Sequence, residues 1–225
     1  MTETTFDIDA DLFMRVRRAV GTENTRYYLS GVLIEPDPSG GAWLVATDGR
    51  AILVARDKTA SAPKAAVVSL TLAERPSVSD CDCDEDGCAM SAPDYTGRRL
   101  RFDLVDHGDA IAKITFGRGY GGEAAIAGHV VDGDKFPNWR GVWASKKPAA
   151  QEKTYDGFGL NARMLHNVTG GDHVQIIDRA PGLAMGIIFS DVPEMVGLIM
   201  PCQIISGGRA LLDELLTTQT EKEPT

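Results

Sequence analysis

The same order of predicted elements, one strand, one helix and three strands, occurs near both ends of the chain, and this repetition restricts the possible folds most. In the first unit, apolar residues recur at helical spacing over 10–20, with Asp9 as N-cap and Gly21 as the stop. In the last unit, a helix is predicted over 161–168 and ends before Gly170. Similarity at this period predicts a modular repeat fold.

The predicted strands are short runs of branched and aromatic residues with turn residues between them. Their ranges are 5–8, 27–35, 43–46, 51–55, 65–72, 100–105, 110–115, 124–131, 155–160, 173–178, 183–190 and 196–203. Asp48-Gly49 stands between two of them and is a strong hairpin signal, because Asp and Gly favour the positive backbone angles of tight turns. The pattern predicts an α+β fold of antiparallel sheets with helices gathered on one face.

A polar, acidic segment at 74–97 interrupts the middle of this pattern and predicts an exposed insertion. The run DCDEDG at 82–87 matches the opening of a calcium loop, but Pro93 stands where a bidentate Glu should close it. The cysteines of the segment are Cys81, Cys83 and Cys88. Their spacing is not that of a standard zinc module, and no fourth ligand is evident. A solvated loop is therefore favoured over a metal site.

Composition narrows the function classes. The formal charge of −9 makes nucleic acid an unfavourable partner, because phosphates are also negative, unless basic residues are gathered on one face. The sequence has no apolar run of about 18 residues, and its first residues do not form a signal peptide. We expect a cytoplasmic protein without a disulfide framework.

No catalytic motif is evident. Candidate acids and bases exist at Asp48, Asp106, His107 and His129, without a nucleophile elbow, a phosphate loop or a paired metal motif. Asp48 is explained by turn geometry. The sequence predicts a protein that is not an enzyme and needs no cofactor.

Three motifs resemble the bacterial DNA sliding clamp family, the beta subunit of DNA polymerase III. They are RYYLSGVL at 26–33 followed by LVATDGR at 44–50, VDGDKFPNW at 131–139, and IMPC at 199–202. Region 1–143 resembles the family's middle domain, and 153–205 resembles the second half of its last domain. Nothing corresponds to the family's first domain. The resemblance implies a shortened clamp fold, followed by a C-terminal helix and tail at 206–225 that have no family counterpart.

The resemblance also implies a cleft that binds short peptides carrying Gln and bulky apolar residues. By position, its lining is Thr47, Gly49, Arg50, Ala51, Ile52, Pro137, Val142, Leu198, Ile199, Met200, Pro201 and Cys202. An apolar slot of this kind accepts aliphatic anchors, while backbone groups fix their orientation. The family commonly has His-Arg-Leu where this chain has Arg50-Ala51-Ile52, and a second Met at Cys202. These departures bear on which peptides the cleft accepts.

Helices of clamps line a central hole and meet DNA phosphates without reading bases. The resemblance therefore assigns non-specific contact with double-stranded DNA to Arg15, Arg17, Arg18 and Arg26. A solvated polar face without a partner is the alternative.

The function implied is a DNA polymerase processivity factor that tethers replication proteins to DNA. A closed ring needs about six domains, so several copies of this chain must assemble. There are two alternatives: a peptide-binding adaptor that does not encircle DNA, and a metal-responsive regulator built on the acidic loop. The C-terminal helix predicted over 209–217 has an apolar stripe that must bury against the cleft or an outer sheet face.

Overall fold

The computed structural model describes residues 5–21, 24–70, 96–104, 109–116, 122–143, 160–177 and 184–201. The strands in these ranges are β1 Thr5–Asp9, β2 Val32–Pro36, β3 Ala42–Thr47, β4 Ala51–Asp57, β5 Ala66–Leu70, β6 Arg99–Leu104, β7 Asp109–Phe116, β8 Gly122–Asp132, β9 Val174–Ile177, β10 Met185–Phe189 and β11 Met195–Ile199. The α-helices are α1 Ala10–Val16, α2 Trp139–Trp143 and α3 Ala162–Thr169. Short 3₁₀ helices cover Arg17–Ala19, Asn24–Leu29 and Gly133–Lys135.

The described strands form one antiparallel sheet in the order β1-β6-β7-β8-β5-β2-β3-β4-β11-β10-β9. β4 pairs with β11 from Ala51 opposite Ile199 to Ala55 opposite Met195, and so joins strands that lie about 140 residues apart in the sequence. The predicted boundary between 143 and 153 falls outside the described residues. The division into domains stays a prediction.

The sheet is buried on both faces near β4 because apolar residues occupy successive positions there. One core lies under α1 and α3 and contains Phe13, Leu53 and Val168. A second, smaller core lies on the opposite face and contains Val54, which alternates with Leu53 along the strand. The predicted α+β fold with antiparallel strands is confirmed, and α1 and α3 share a face. The five-residue α2 lies on the other face.

Asp9 ends β1 and caps α1, as predicted. Its backbone is extended, and its carboxylate accepts a hydrogen bond from the Leu12 N–H at 2.9 Å. The α-helical geometry ends at Val16, earlier than the predicted 10–20, because the chain tightens into the 3₁₀ turn Arg17–Ala19. α3 matches its prediction closely. Asn161 caps it, and Gly170, with φ of 60°, ends it.

The predicted strand over 27–35 is wrong in its first half. Asn24–Leu29 forms a kinked 3₁₀ segment, and only Val32–Pro36 joins the sheet. Gly31 lies so close to Val68 that a Cβ there would be 2.7 Å from the Val68 carbonyl carbon. This close approach brings the chain onto β5 at the start of β2. Tyr28 and Leu29, which precede it, pack against the second core.

Other predictions lie partly or wholly outside the described residues. Among them are residues 74–95 of the acidic segment, most of the strand at 155–160 and the C-terminal helix. None of the helices in the described ranges is long or apolar enough to cross a membrane.

A candidate peptide-binding cleft

An apolar cleft of about 270 Å³ opens on the sheet face opposite α1 and α3. The loop between β3 and β4, the end of β11 and the segment around α2 surround it. Its described lining is Arg26, Tyr28, Leu29, Thr47, Gly49, Arg50, Ala51, Ile52, Phe136, Pro137, Trp139, Val142, Ala184, Leu198 and Met200. The volume is below the roughly 300–1,000 Å³ of sites for drug-sized ligands. It therefore suits a few side chains of a peptide rather than a folded domain.

The β3–β4 loop is fixed by hydrogen bonds of its own side chains. The Thr47 hydroxyl donates to the Ala51 carbonyl at 2.6 Å and accepts from the Gly49 N–H at 3.0 Å. One carboxylate oxygen of Asp48 accepts from the N–H groups of Arg50 and Ala51, at 2.8 and 2.7 Å. Gly49 has φ of 86°, in the left-handed region that glycine adopts without strain. The loop is thus a rigid edge of the cleft.

The end of β11 is attached to this loop. The Met200 N–H donates to the Arg50 carbonyl at 2.8 Å, which extends the β4–β11 ladder by one bond. Leu198 and Ile52 face each other across that ladder and are 1% and 5% exposed. They form an apolar floor, whereas the Met200 side chain is 48% exposed at the rim. A buried floor and an exposed thioether are suited to gripping an aliphatic side chain.

A wall of the cleft is Trp139, which is held in place by ion and ring contacts. Its Nε1–H donates to Glu35 at 2.9 Å, and the same carboxylate pairs with Arg140 at 2.8 Å. The Arg140 guanidinium lies 4.1 Å from the centre of the Trp139 ring, a cation–π geometry. Trp43 packs against the ring with centroids 5.8 Å apart. The wall is therefore preorganised.

Nine of the twelve residues assigned to the cleft from the sequence line it in the structure. They are Thr47, Gly49, Arg50, Ala51, Ile52, Pro137, Val142, Leu198 and Met200. Ile199 does not, because it follows Leu198 in a strand and its side chain points into the core under α1 and α3. Pro201 is described but is not part of the lining, and Cys202 lies outside the described residues.

Six lining residues were missed by sequence reasoning about the cleft: Arg26, Tyr28, Leu29, Phe136, Trp139 and Ala184. All but Ala184 belong to the motifs on which the resemblance is based. Their positions within those motifs could therefore have identified them as lining residues. Ala184 precedes β10 and does not belong to any of these motifs.

The four arginines assigned to DNA do not share one surface. Arg15 and Arg18 both pair with Asp172, at 2.7 and 2.6 Å, and Arg15 also pairs with Asp11. Arg17 donates to the Leu70 carbonyl at 3.1 Å. Arg26 lines the cleft, on the other face of the sheet. The assignment to DNA stays a prediction.

The ion pairs with Asp172 shift its titration. Partial burial on its own would raise the pKa of Asp172, but hydrogen bonds and charge from Arg18 and Arg15 outweigh it and hold the pKa below 3.8. The same cluster raises the pKa of Arg15 despite its own partial burial, because Asp11 and Asp172 stabilise the charged form. Asp172 therefore links α1 to the loop after α3 as a carboxylate.

A second cavity, of about 510 Å³, is polar and lies near the start of α1. Some of its charged groups already have partners: Arg15 pairs with Asp11, and Asp57 accepts the Asp9 N–H at 2.7 Å. Within the described ranges, no group of three or more His, Cys, Asp or Glu side chains could hold a metal ion. The cysteines of the acidic segment lie outside those ranges. The apolar cleft is thus the better candidate site.

Within the described residues, a helix followed by three strands occurs twice, and all the described strands join one antiparallel sheet. With α1 and α3 on one face, this is an α+β fold of the DNA clamp type. Solved bacterial sliding clamps share it. The clamp of Bartonella birtlesii matches with a TM-score of 0.54 at 14% identity, and that of Pseudomonas aeruginosa with 0.52 at 17%. The beta subunit of Borrelia burgdorferi matches with 0.55 at 10%. The predicted resemblance to this fold is confirmed.

Each of these matches covers 89% of this chain but only 64–66% of the clamp, so the chain spans less than two thirds of the length of these proteins. No protein-family model matches the sequence. No curated protein matches it either. The fold therefore corresponds to part of a clamp chain.

Proposed function

We propose that this protein is a clamp-type processivity factor, which holds DNA-processing proteins on DNA by binding a short apolar segment of each in the cleft. The observation that carries the proposal is the cleft itself: loop β3–β4, the end of β11 and the α2 segment are far apart in sequence and meet around one apolar floor. Solved neighbours with the same fold are named as DNA polymerase sliding clamps, which supports this class of function.

The proposed activity is binding, without catalysis or cofactor. The cleft contains apolar side chains, two guanidinium groups, the Tyr28 phenol and the Thr47 hydroxyl, which is already bonded to the Ala51 carbonyl; its described lining has no carboxylate, imidazole, thiol or amine. Rigid apolar floors with a few polar groups bind linear segments well. We propose replication proteins and double-stranded DNA as partners, with several copies of the chain forming the assembly.

A labelled peptide tests the cleft. We expect a synthetic peptide with one Gln followed by two Leu anchors to bind with a micromolar Kd, roughly −8 kcal/mol, as measured by fluorescence polarisation. The control peptide replaces both Leu by Ser and should bind at least about tenfold more weakly. Equal binding of both peptides, or none up to roughly millimolar protein, contradicts the proposal.

The second candidate is an adaptor that keeps the cleft and does not encircle DNA. It is favoured by the arrangement of Arg15 and Arg18, whose guanidinium groups are both engaged by Asp172 instead of lying open to phosphate.

Solution mass and DNA topology separate the two candidates. A processivity factor should assemble into an oligomer of ring size, remain on nicked circular DNA and slide off once the DNA is cut. Light scattering gives the mass, and gel filtration of the DNA complex gives retention. A monomer whose retention is the same on circular and linear DNA would favour the adaptor.

A further inference from the structure

The charged residues that line the cleft are all positive. Two of its lining residues, Arg26 and Arg50, are cationic, and none of the described lining residues is acidic. This contrasts with the whole chain, in which 32 Asp and Glu outnumber 23 Lys and Arg. A positive rim on an acidic protein is a local feature that a bound ligand would meet.

The two cations lie at the same end of the cleft. Arg26 Nη1 is 3.1 Å from the position that a Cβ would take on Gly49, so the guanidinium rests against the tip of the β3–β4 loop. Arg50 is the next residue in that tip, and its carbonyl accepts the Met200 N–H. Both side chains are exposed. The charge is therefore concentrated beside the exposed thioether of Met200.

Elsewhere in the described residues, arginines are commonly paired with carboxylates of this chain. Arg56 pairs with Asp37 at 2.7 Å, and Arg140 pairs with Glu35 at 2.8 Å. In the described part of the structure, the Arg26 and Arg50 guanidinium groups have no such ion pair. The nearest carboxylate in sequence, Asp48, directs one oxygen to two backbone N–H groups of the loop. The cleft thus has two cationic groups without a carboxylate partner among the described residues.

We infer that the peptide which this cleft selects carries acidic side chains next to its apolar anchors, at the end that meets the loop tip. This inference rests on the proposed peptide-binding function. A bound peptide excludes water from the rim and strengthens the interaction of each guanidinium with a carboxylate, while a basic flank would be repelled. The guanidinium also offers paired donors that fit a carboxylate.

The preference for acidic peptides depends partly on Arg50, a position at which this chain departs from the family that it resembles. The family that the chain resembles commonly has His at this position. An unperturbed His is mostly neutral near pH 7, whereas Arg is charged at every physiological pH. The selectivity for acidic flanks should therefore persist from about pH 6 to pH 8, where a histidine would lose its charge.

Three synthetic peptides with the same Gln and Leu anchors test the inference. One carries Asp-Glu before the anchors, one carries Asp-Glu after them, and the third carries Asn-Gln at both places. We expect one acidic peptide to bind about three- to tenfold more tightly than the amide peptide at low salt. The advantage should shrink as salt rises from about 0.05 to 0.5 M.

Variants assign the effect to the two arginines. In the double variant Arg26→Gln, Arg50→Gln, the ratio of acidic to amide affinity should fall to about one. Arg163→Gln on α3 is the matched control, since Arg163 is also exposed and lies away from the cleft; its ratio should equal that of the wild type. Circular dichroism checks that each variant is folded.

The outcomes distinguish the two proposals. Equal affinity for all three peptides, or an acidic advantage that survives in the double variant, overturns the inference and leaves peptide binding intact. If none of the three peptides binds, the proposed function itself fails.

Discussion

Replacing Met200 by Ala is expected to weaken the binding of an apolar peptide by about 1–3 kcal/mol, the usual range for truncation of an anchor contact. Met200 is 48% exposed in the free protein, so its side chain contributes little to the core. It lies above the buried floor made by Leu198 and Ile52 and becomes covered only when a ligand fills the cleft. The loss should therefore appear in binding and not in folding.

Val196→Ala is the matched control for this experiment. Val196 lies on β11, which ends just before Met200; it is 37% exposed and is outside the described lining of the cleft. Peptide titration and thermal unfolding on both variants separate a binding effect from a change in stability. Adding Ile52→Asp to Met200→Ala should abolish binding, because an unpaired carboxylate in the floor is costly to bury. Unchanged affinity in the folded double variant would rule out the cleft as the peptide site.

Most of the cleft could be predicted from the sequence because its residues belong to motifs with known order. Ile199 was assigned wrongly to the lining, although strand alternation alone excludes it: Leu198 and Met200 share one face, so the residue between them must point to the other. Ala184 could not be predicted, since its position depends on the pairing of β10 with β11, which joins residues distant from the loop.

Local patterns also predicted the helices better than the strand near Tyr28. Asp9 and Asn161 are N-caps whose effect is contained within three residues. The sequence predicted Asp9 as an N-cap and placed the start of the later helix at 161. The sequence around Tyr28 has high strand propensity, yet Asn24–Leu29 is a 3₁₀ segment in which Tyr28 and Leu29 pack against the second core. Tertiary packing overrode propensity there.

The ion pairs that Arg15 and Arg18 form with Asp172 could not be predicted from the sequence. Arg15 and Asp172 are 157 residues apart, and no periodic pattern relates them. The helical spacing showed which residues lie off the apolar face of α1, but it could not show that a carboxylate following α3 would reach two of them.

Asp172→Asn is expected to lower the free energy of unfolding by about 1–2 kcal/mol, because it removes the shared partner of Arg15 and Arg18. The effect is smaller than for a fully buried pair, since the Arg18 side chain is still 27% exposed and water screens the charges. Chemical denaturation at neutral pH measures it. Asp191→Asn is the control: its carboxylate is 63% exposed and should contribute almost nothing.

The contribution of Asp172 to the free energy of unfolding should decrease at acidic pH. The folded-state pKa of Asp172 lies below its ordinary value of 3.8, so its stabilisation is fully present above about pH 4 and is lost as pH falls through the folded pKa. The stability difference between wild type and Asp172→Asn should thus be constant near neutrality and shrink below about pH 4. A difference that stays the same down to pH 2 would show that the carboxylate charge is not the cause.

The same variant tests the assignment of α1 to DNA. In the wild type, Asp172 competes with phosphate for Arg15 and Arg18, since one carboxylate oxygen accepts from both guanidinium groups. Removing its charge should raise non-specific affinity for duplex DNA and steepen the fall of affinity with salt, because two more cations can neutralise phosphate. If Asp172→Asn loses stability as expected while its DNA affinity and salt slope match those of the wild type, the two arginines serve only to hold α1 against α3, and the adaptor is the better account of the protein.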